Sequence, residues 1–420
     1  MFFLKEPEAG STTAIPDVSE TVSGIIAEVL SRGTEAVKRY SAFLDGYSGP
    51  VRVASHFLDE AERSLTPDLK KALSIASSNI RSFHSLQKEL LEEKEWTPKE
   101  GLTLGLRFAP VESAAIYIPG GRYPLPSTAL MGVIAAQEAG VKRIAAFTPP
   151  STPTGPDPVI LGTLSMLGIN ETWAVGGAQA VAAAALGTED ISPVDIIAGP
   201  GNIYVTEAKR QLFGKVGIDG LAGPSEVLVI ADDTADPDLL AADLLAQAEH
   251  DTLARSTLLC TELTIAERTL SIIEQMLGDS SDTGTALISW TSQGSIAVCS
   301  LEDAVKQANI AAPEHIVLAV RDPRTILSRC TSFGSAFLGN LSAQSFGDYS
   351  AGTNHILPTG RSARFSGGLW TGSFMRLQTF AEIGPSGTSE LAKTGGALAE
   401  AEGLDFHRVA LLARTSRIYK

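Results

Sequence analysis

Cysteine is nearly absent from this 420-residue chain. Cys260, Cys299 and Cys330 are odd in number and show no Cys-x-x-Cys spacing. That argues against a disulfide framework or a thiolate metal centre and fits a reducing cytoplasm. Basic charge is also scarce, with 33 Lys and Arg against 48 Asp and Glu and a net charge of −15. A nucleic-acid or anionic-membrane partner is therefore not expected, since both demand excess Lys and Arg. Long apolar runs are missing too. The most apolar stretch, Trp173 to Leu186, is Ala-rich, interrupted by Gly and Gln, and short of a spanning length. Phe2-Phe3-Leu4 before Lys5 is too short for a secretory core. No repeat of solenoid period and no low-complexity segment occurs. The Gly-x-Gly-x-x-Gly fingerprint with its downstream acid is absent as well, so a conventional Rossmann nucleotide site is not supported.

What is present suits a globular enzyme of two or three domains, with 44% hydrophobic and 19% charged residues. To about Pro110 the pattern predicts mainly helix. Val18 to Arg32 is amphipathic and stops at Gly33, and Pro67 to Leu91 reads as a long helix with a solvated charged end at Glu92-Glu93-Lys94-Glu95. From Ala114 short apolar strands alternate with helices, and a second such block begins at Val227-Leu228-Val229-Ile230. The alternation predicts an α/β fold with two Rossmann-like βαβ domains of mostly parallel sheet. Two helical stretches, Ser386 to Ala399 and Asp405 to Ala413, end the chain. The expected organisation is an N-terminal helical segment over 1–116 packing with the second α/β domain, a first domain over 117–225, a second over 226–366, and a C-terminal helical tail over 367–420.

Ligands of open α/β sheets bind beyond the carboxyl ends of strands. Pro119-Gly120-Gly121-Arg122, Gly176-Gly177-Ala178-Gln179 and Gly199-Pro200-Gly201-Asn202 all fall there. Glycine in such turns lets the backbone approach a phosphate, although one glycine loop alone need only make a tight turn. Ala222-Gly223-Pro224-Ser225-Glu226 joins the two blocks and either sets a hydroxyl in an interdomain cleft or acts as a hinge. Four of the six histidines lie beside or near carboxylates: Glu249-His250-Asp251, Glu314-His315, Asp348 with His355, and Glu402 with His407. Imidazole next to carboxylate serves zinc binding and acid–base catalysis. Gln247 and His250, three apart on a helix opened by Asp236-Pro237, would share one face and could close on one metal. Glu314 and His315 begin a strand, so their side chains point to opposite faces unless the backbone is irregular; that suits two distinct proton-transfer roles. His56 and His84 read as surface or packing residues.

Together these motifs resemble the histidinol dehydrogenase family. The matching stretches include Tyr117-Ile118-Pro119-Gly120-Gly121, Val175-Gly176-Gly177-Ala178-Gln179-Ala180, Gly199-Pro200-Gly201-Asn202, Gln247-Ala248-Glu249-His250-Asp251, Ala312-Pro313-Glu314-His315, Gly347-Asp348-Tyr349 and Asn354-His355, in the family's order from about residue 18 to 415. The resemblance implies one zinc per subunit held by Gln247, His250, Asp348 and His407. It implies Glu314 and His315 as the acid–base pair, and Tyr117, Gln179 and Asn202 as NAD contacts. Ser225, His355 and Glu402 are implied as substrate contacts, alongside Gln247, His250, His315, Asp348 and His407. It further implies a homodimer whose C-terminal tail completes the partner's site. The implied reaction is the NAD-dependent, four-electron oxidation of L-histidinol to L-histidine through a bound aldehyde. Gly367-Gly368-Leu369-Trp370, Thr353 and Tyr123-Pro124 look more like a paralogous branch that oxidises sulfopropanediol, whereas Pro126-Ser127-Thr128 looks like the histidinol branch. A zinc hydrolase with Glu314 as base would use the same ligands but leave the glycine loops idle.

Overall fold

The computed structural model describes residues 1–8, 16–120, 123–279 and 284–418. Gly121 and Arg122, part of the first glycine loop, lie outside the described residues. The chain divides into two compact units, one of Met1–Leu86 with Val111–Phe374 and the other of Gln87–Pro110 with Met375–Lys420.

The first unit holds two mostly parallel sheets, as the alternation predicts. One has five parallel strands in the spatial order Glu171–Ala174, Arg143–Thr148, Ser113–Tyr117, Ile196–Ala198, Gly217–Ile218. Its strands are buried on both faces, which is why they read as short continuous apolar runs rather than as alternating ones. The chain starts in the middle, winds to one edge, then returns to the other side of the first strand. The crossover reverses between Ser113–Tyr117 and Ile196–Ala198, and the loops leaving these two strands flank the switch point where such sheets bind ligands. The other sheet repeats this order with Ser295–Val298, Arg255–Cys260, Glu226–Ala231, His315–Ala319 and Ser335–Leu338, and adds Phe2–Lys5 as an antiparallel edge. Val227, Val229 and Ala231 pack into one apolar layer and Leu228 and Ile230 into the layer on the opposite face.

The N-terminal helices contradict one expectation. Ser19–Leu44, broken at Gly33 where φ is +53°, buries Val22, Val29 and Val37 against the helix Gly177–Leu186 of the first sheet. Ser19–Leu44 therefore covers the first α/β domain, whereas Phe2–Lys5 joins the second sheet and the helix Pro67–Glu89 reaches the segment that follows it, Asn79 donating to the Ser350 carbonyl and His84 meeting Asn354. The reason is complementarity of shape: Gly177–Leu186 offers a run of Ala, and the Val and Ile stripe of Ser19–Leu44 fits that smooth surface.

The second unit is an antiparallel ribbon of Lys94–Lys99, Leu102–Pro110 and Met375–Ile383, with helices Pro385–Ala401 and Asp405–Ile418. Helix was expected before Pro110, and the charged run was read as a helix end. The helix stops at Glu89 instead, and Lys94 and Glu95 enter a strand. Much of this unit's apolar surface faces outward, including Trp96 at 65%, Leu377 at 57% and Phe406 at 89% exposure. No described side chain of Asp405–Ile418 is buried. Among the described residues no helix is long and apolar enough to cross a membrane.

Candidate active site

Tyr117 ends the central strand of the first sheet. Its ring is buried, and its hydroxyl accepts the Gly177 N–H at 3.0 Å. Burial pushes this phenol up to about 12, so it stays protonated. Gly177 has φ +66°, and a Cβ there would sit 2.6 Å from Gln179 Oε1. Gln179 is 1% exposed, yet neither its Nε2 nor its Oε1 has a hydrogen-bond partner. A buried carboxamide without partners is costly unless something else completes it. Asn202 is exposed and caps the helix Ile203–Leu212, its Oδ1 accepting from the N–H groups of Tyr204 and Val205 at 3.1 Å. Its NH2 is left for an outside acceptor. Gly199, with φ +123°, lies so close to the Tyr117 carbonyl that a Cβ would come within 2.0 Å of it. The orphaned Gln179 amide, the pinned Tyr117 hydroxyl and backbone that only glycine permits are features a dinucleotide can use, so these residues fit NAD.

The second sheet presents its chemistry at the other end. Ser225, Glu226, Glu314 and His315 sit at the amino ends of Glu226–Ala231 and His315–Ala319, not at the carboxyl ends where ligands of open sheets usually bind. Ala312 takes a left-handed conformation (φ 47°), and Glu314 lies in a bend just ahead of the strand. This irregularity lets neighbouring side chains converge, so Glu314 Oε2 comes 3.9 Å from His315 Nδ1. Glu314 Oε2 also accepts the Glu226 N–H at 3.0 Å, and the Ser225 hydroxyl bonds the same carboxyl group. His315 Nε2 lies 3.5 Å from Asp348 Oδ1, and its Nδ1 is buried without a hydrogen-bond partner. His355 Nδ1 sits 2.8 Å from the Asp348 carbonyl oxygen, a contact that requires the proton on Nδ1. Its Nε2 is then an acceptor, and the Thr128 hydroxyl donates to it at 3.3 Å. Thr128 belongs to a motif quoted above but carried no predicted role.

Burial dominates the electrostatics. It pushes Glu314 up to about 8, with the charges of Asp348 and Glu226 adding to the effect. Asp348 rises to about 7 by burial alone. His315 falls to about 3 and His355 to about 4, each mainly by burial and further by neighbouring histidines. Desolvation also lowers His250. Near neutral pH the protein therefore holds a protonated Glu314 beside a neutral His315, an acid and a base within one contact.

Gln247 is buried in the helix Pro237–Ala248, with its Oε1 3.1 Å from Gln344 Nε2 and its own Nε2 unpartnered. Gln344 lies in Gln344–Tyr349, which carries Asp348, so this amide contact ties the two donor-bearing helices together. Gln344 was not anticipated, and its position four residues before Asp348 gave the only hint. The helix ends at Ala248, so His250 does not share a helix face with Gln247; its N–H instead bonds the Gln247 carbonyl at 3.3 Å in the turn that follows. Glu402 and His407 lie exposed on the second unit. Among the described residues no three His, Cys, Asp or Glu side chains are gathered for a metal. Gln247, His250 and Asp348 nevertheless offer oxygen and nitrogen donors of the kind zinc accepts; the Gln247 donor is its Oε1, which here accepts from Gln344, because the unpartnered Nε2 can only donate a hydrogen bond. His84, by contrast, is fully buried between Asn354 and Thr371, which makes it a packing residue as expected.

An α/β sheet whose switch-point loops fit a dinucleotide, in a chain that also holds a buried acid–base pair, suits an oxidoreductase. The histidinol dehydrogenase family profile matches residues 9–415. A histidinol dehydrogenase from Gluconobacter oxydans is 41% identical over 95% of this chain and 93% of its own length. One from Rhodospirillum rubrum is also 41% identical, over 97% and 95% respectively. The crystal structure of histidinol dehydrogenase from Elizabethkingia anophelis superposes with a TM-score of 0.92 at 38% identity, covering 96% of this chain and 94% of that one. The chain belongs to the histidinol dehydrogenase family and is a dehydrogenase.

Proposed function

We propose that this enzyme oxidises L-histidinol to L-histidine with NAD as acceptor and zinc as substrate-orienting metal. The observation that carries the reading is the Glu314–His315 pair with Asp348 and His355 around it, in a family whose relatives are named for histidinol oxidation. In this reading residues 117–225 hold the dinucleotide, with Tyr117, Gln179 and Asn202 as its contacts. Residues 226–366 carry the acid–base chemistry, and Ser225, His355 and Glu402 touch the substrate. Gln247, His250, Asp348 and His407 would hold the zinc, which when bound draws electron density from the substrate's nitrogen and oxygen atoms.

Oxidising the alcohol removes its hydroxyl proton and a hydride from the same carbon. His315, neutral and buried, accepts the proton. The aldehyde must then add water before a second hydride can leave. Glu314 accepts the proton of that water, which it does only in its ionised form, present increasingly above about pH 8 in the metal-free protein. Both side chains are buried, which keeps them out of contact with bulk water.

The trans role of the tail rests on the second unit, whose exposed Leu377, Phe406 and Val409 are unfavourable in water and suit burial against a second copy of the chain. In that homodimer His407 and Glu402 would serve the partner's site. A cytoplasmic location is supported by the three buried free cysteines.

The deciding experiment incubates zinc-loaded protein with NAD and either L-histidinol or dihydroxypropanesulfonate. Two NADH per histidinol are expected, and none without NAD. Turnover of the sulfonate alone overturns the substrate assignment.

A further inference from the structure

Lys209 is a lysine where none would be placed for solvation: it is 2% exposed, on the second turn of Ile203–Leu212. Lysine is almost never fully buried without a partner. Its Nζ contacts Asp219 Oδ1 and donates to the Gly199 carbonyl at 3.0 Å. Asp219 in turn accepts the Gly199 N–H at 2.7 Å through Oδ2 and the Gly220 N–H at 2.9 Å through Oδ1. The pair therefore grips both the N–H and the carbonyl of one glycine, at the point where the loop leaves the strand Ile196–Ala198. Asp219 follows the neighbouring strand Gly217–Ile218 directly, so the grip is anchored in the sheet itself. Three residues beyond Gly199, Asn202 caps the same helix that carries Lys209. The connection closes on itself, from Gly199 to Asn202, along the helix to Lys209, and back to Gly199.

Such a pair is not needed for stability, because apolar residues of similar volume often serve a core as well or better. Nor is Lys209 available to a phosphate, being buried and neutralised by Asp219. What the pair does is hold Gly199, at a φ of +123° that suits glycine, against the Tyr117 carbonyl, three residues ahead of the exposed Asn202. We propose that Lys209 and Asp219 are positioning residues for the pyridine dinucleotide, setting the Gly199–Asn202 loop without touching the cofactor. The proposal rests on the reading of this switch point as the NAD side.

The test compares Asp219→Asn and Lys209→Gln with Arg143→Met. Arg143 anchors the opposite, amino-terminal end of the same sheet through Glu171, Ser192 and Pro193. NADH binding is read by fluorescence titration, KM is measured separately for NAD and for alcohol, and melting is followed alongside. Asp219→Asn keeps an acceptor oxygen and is the conservative variant should Lys209→Gln fail to fold. Both are expected to raise the NADH Kd and the KM for NAD by about ten-fold or more, with the alcohol KM unchanged and kcat largely retained at saturating NAD. Arg143→Met is expected to lower the melting temperature while leaving the NADH Kd where it was. A folded Asp219→Asn protein whose NADH Kd matches the parent overturns the proposal, as does an equal loss of alcohol affinity. Failure of the parent itself to bind NADH overturns the cofactor reading, and the proposal with it.

Discussion

Glu314→Gln separates the chemical use of this carboxyl group from the cost of burying it. In the folded, metal-free protein burial lifts Glu314 from 4.5 to about 8. The folded state therefore keeps a proton that the unfolded chain has already released, so wild-type stability falls as pH rises through that window and levels off above about 8. At about 1.4 kcal/mol per pH unit the full displacement corresponds to at most about 5 kcal/mol, and relaxation around the charge brings the expectation nearer 2–3 kcal/mol. Glutamine cannot ionise, and its Oε1 can still accept the Glu226 N–H that Glu314 accepts at 3.0 Å. The variant should thus be close to wild type near pH 5 and progressively more stable than wild type up to pH 8–9. Asp348 titrates in both proteins, and the subtraction removes most of its share. Chelator-treated wild type and variant are melted side by side from pH 5 to 9, and the difference in Tm is plotted against pH. On a chain of this size it should reach a few degrees. The same variant should still reduce the first NAD per alcohol but lose about 10²–10⁴ of the rate on supplied aldehyde. A Tm difference that is flat or falls with pH refutes the burial argument, and undiminished aldehyde oxidation refutes the water-activating role.

Gly177→Ala should destabilise the loop by about 1–2 kcal/mol, since φ is +66° and the new methyl would press on Gln179 Oε1. NADH affinity should fall accordingly in a fluorescence titration, while zinc content by mass spectrometry stays the same. Glu314→Gln and His407→Asn, each nearly unable to oxidise supplied aldehyde alone, should regain that activity when refolded together if the tail serves the partner, because a mixed dimer contains one site with neither change. Absence of any recovery in a mixture shown to contain mixed dimers removes the trans assignment.

The α/β architecture was legible because its cause is local. Strands such as Ser113–Tyr117 and Glu226–Ala231 are buried on both faces, so their apolar runs and the glycine stops between them survive in one dimension. The ribbon was not legible. Leu102–Pro110 pairs with Met375–Ile383, and the Phe380 ring covers Gly105, a contact between residues far apart in the chain. An exposed strand has no buried face to write a period into the sequence, and the charged Lys94–Lys99 misled for the same reason.

The candidate site shows the same division. Residue types and order singled out the glycine loops, Glu314, His315 and Asp348, because acid–base and metal chemistry draws on few side chains and glycine marks the turns that a cofactor can approach; Tyr117, Gln179 and Asn202 were named as cofactor contacts only through the family resemblance. Sequence could not bring the Glu314 and His315 side chains together, since strand geometry sends neighbours to opposite faces. The left-handed Ala312 and the bend that follows did so. Nor could it choose between an ionised and a protonated Glu314, or find Lys209, Asp219 and Gln344. Charge state and orphaned amides depend on what surrounds a group, and burial is a property of the packed chain. Sequence determined which chemical groups this protein owns; tertiary structure decided which of them lose water, and therefore which hold a proton.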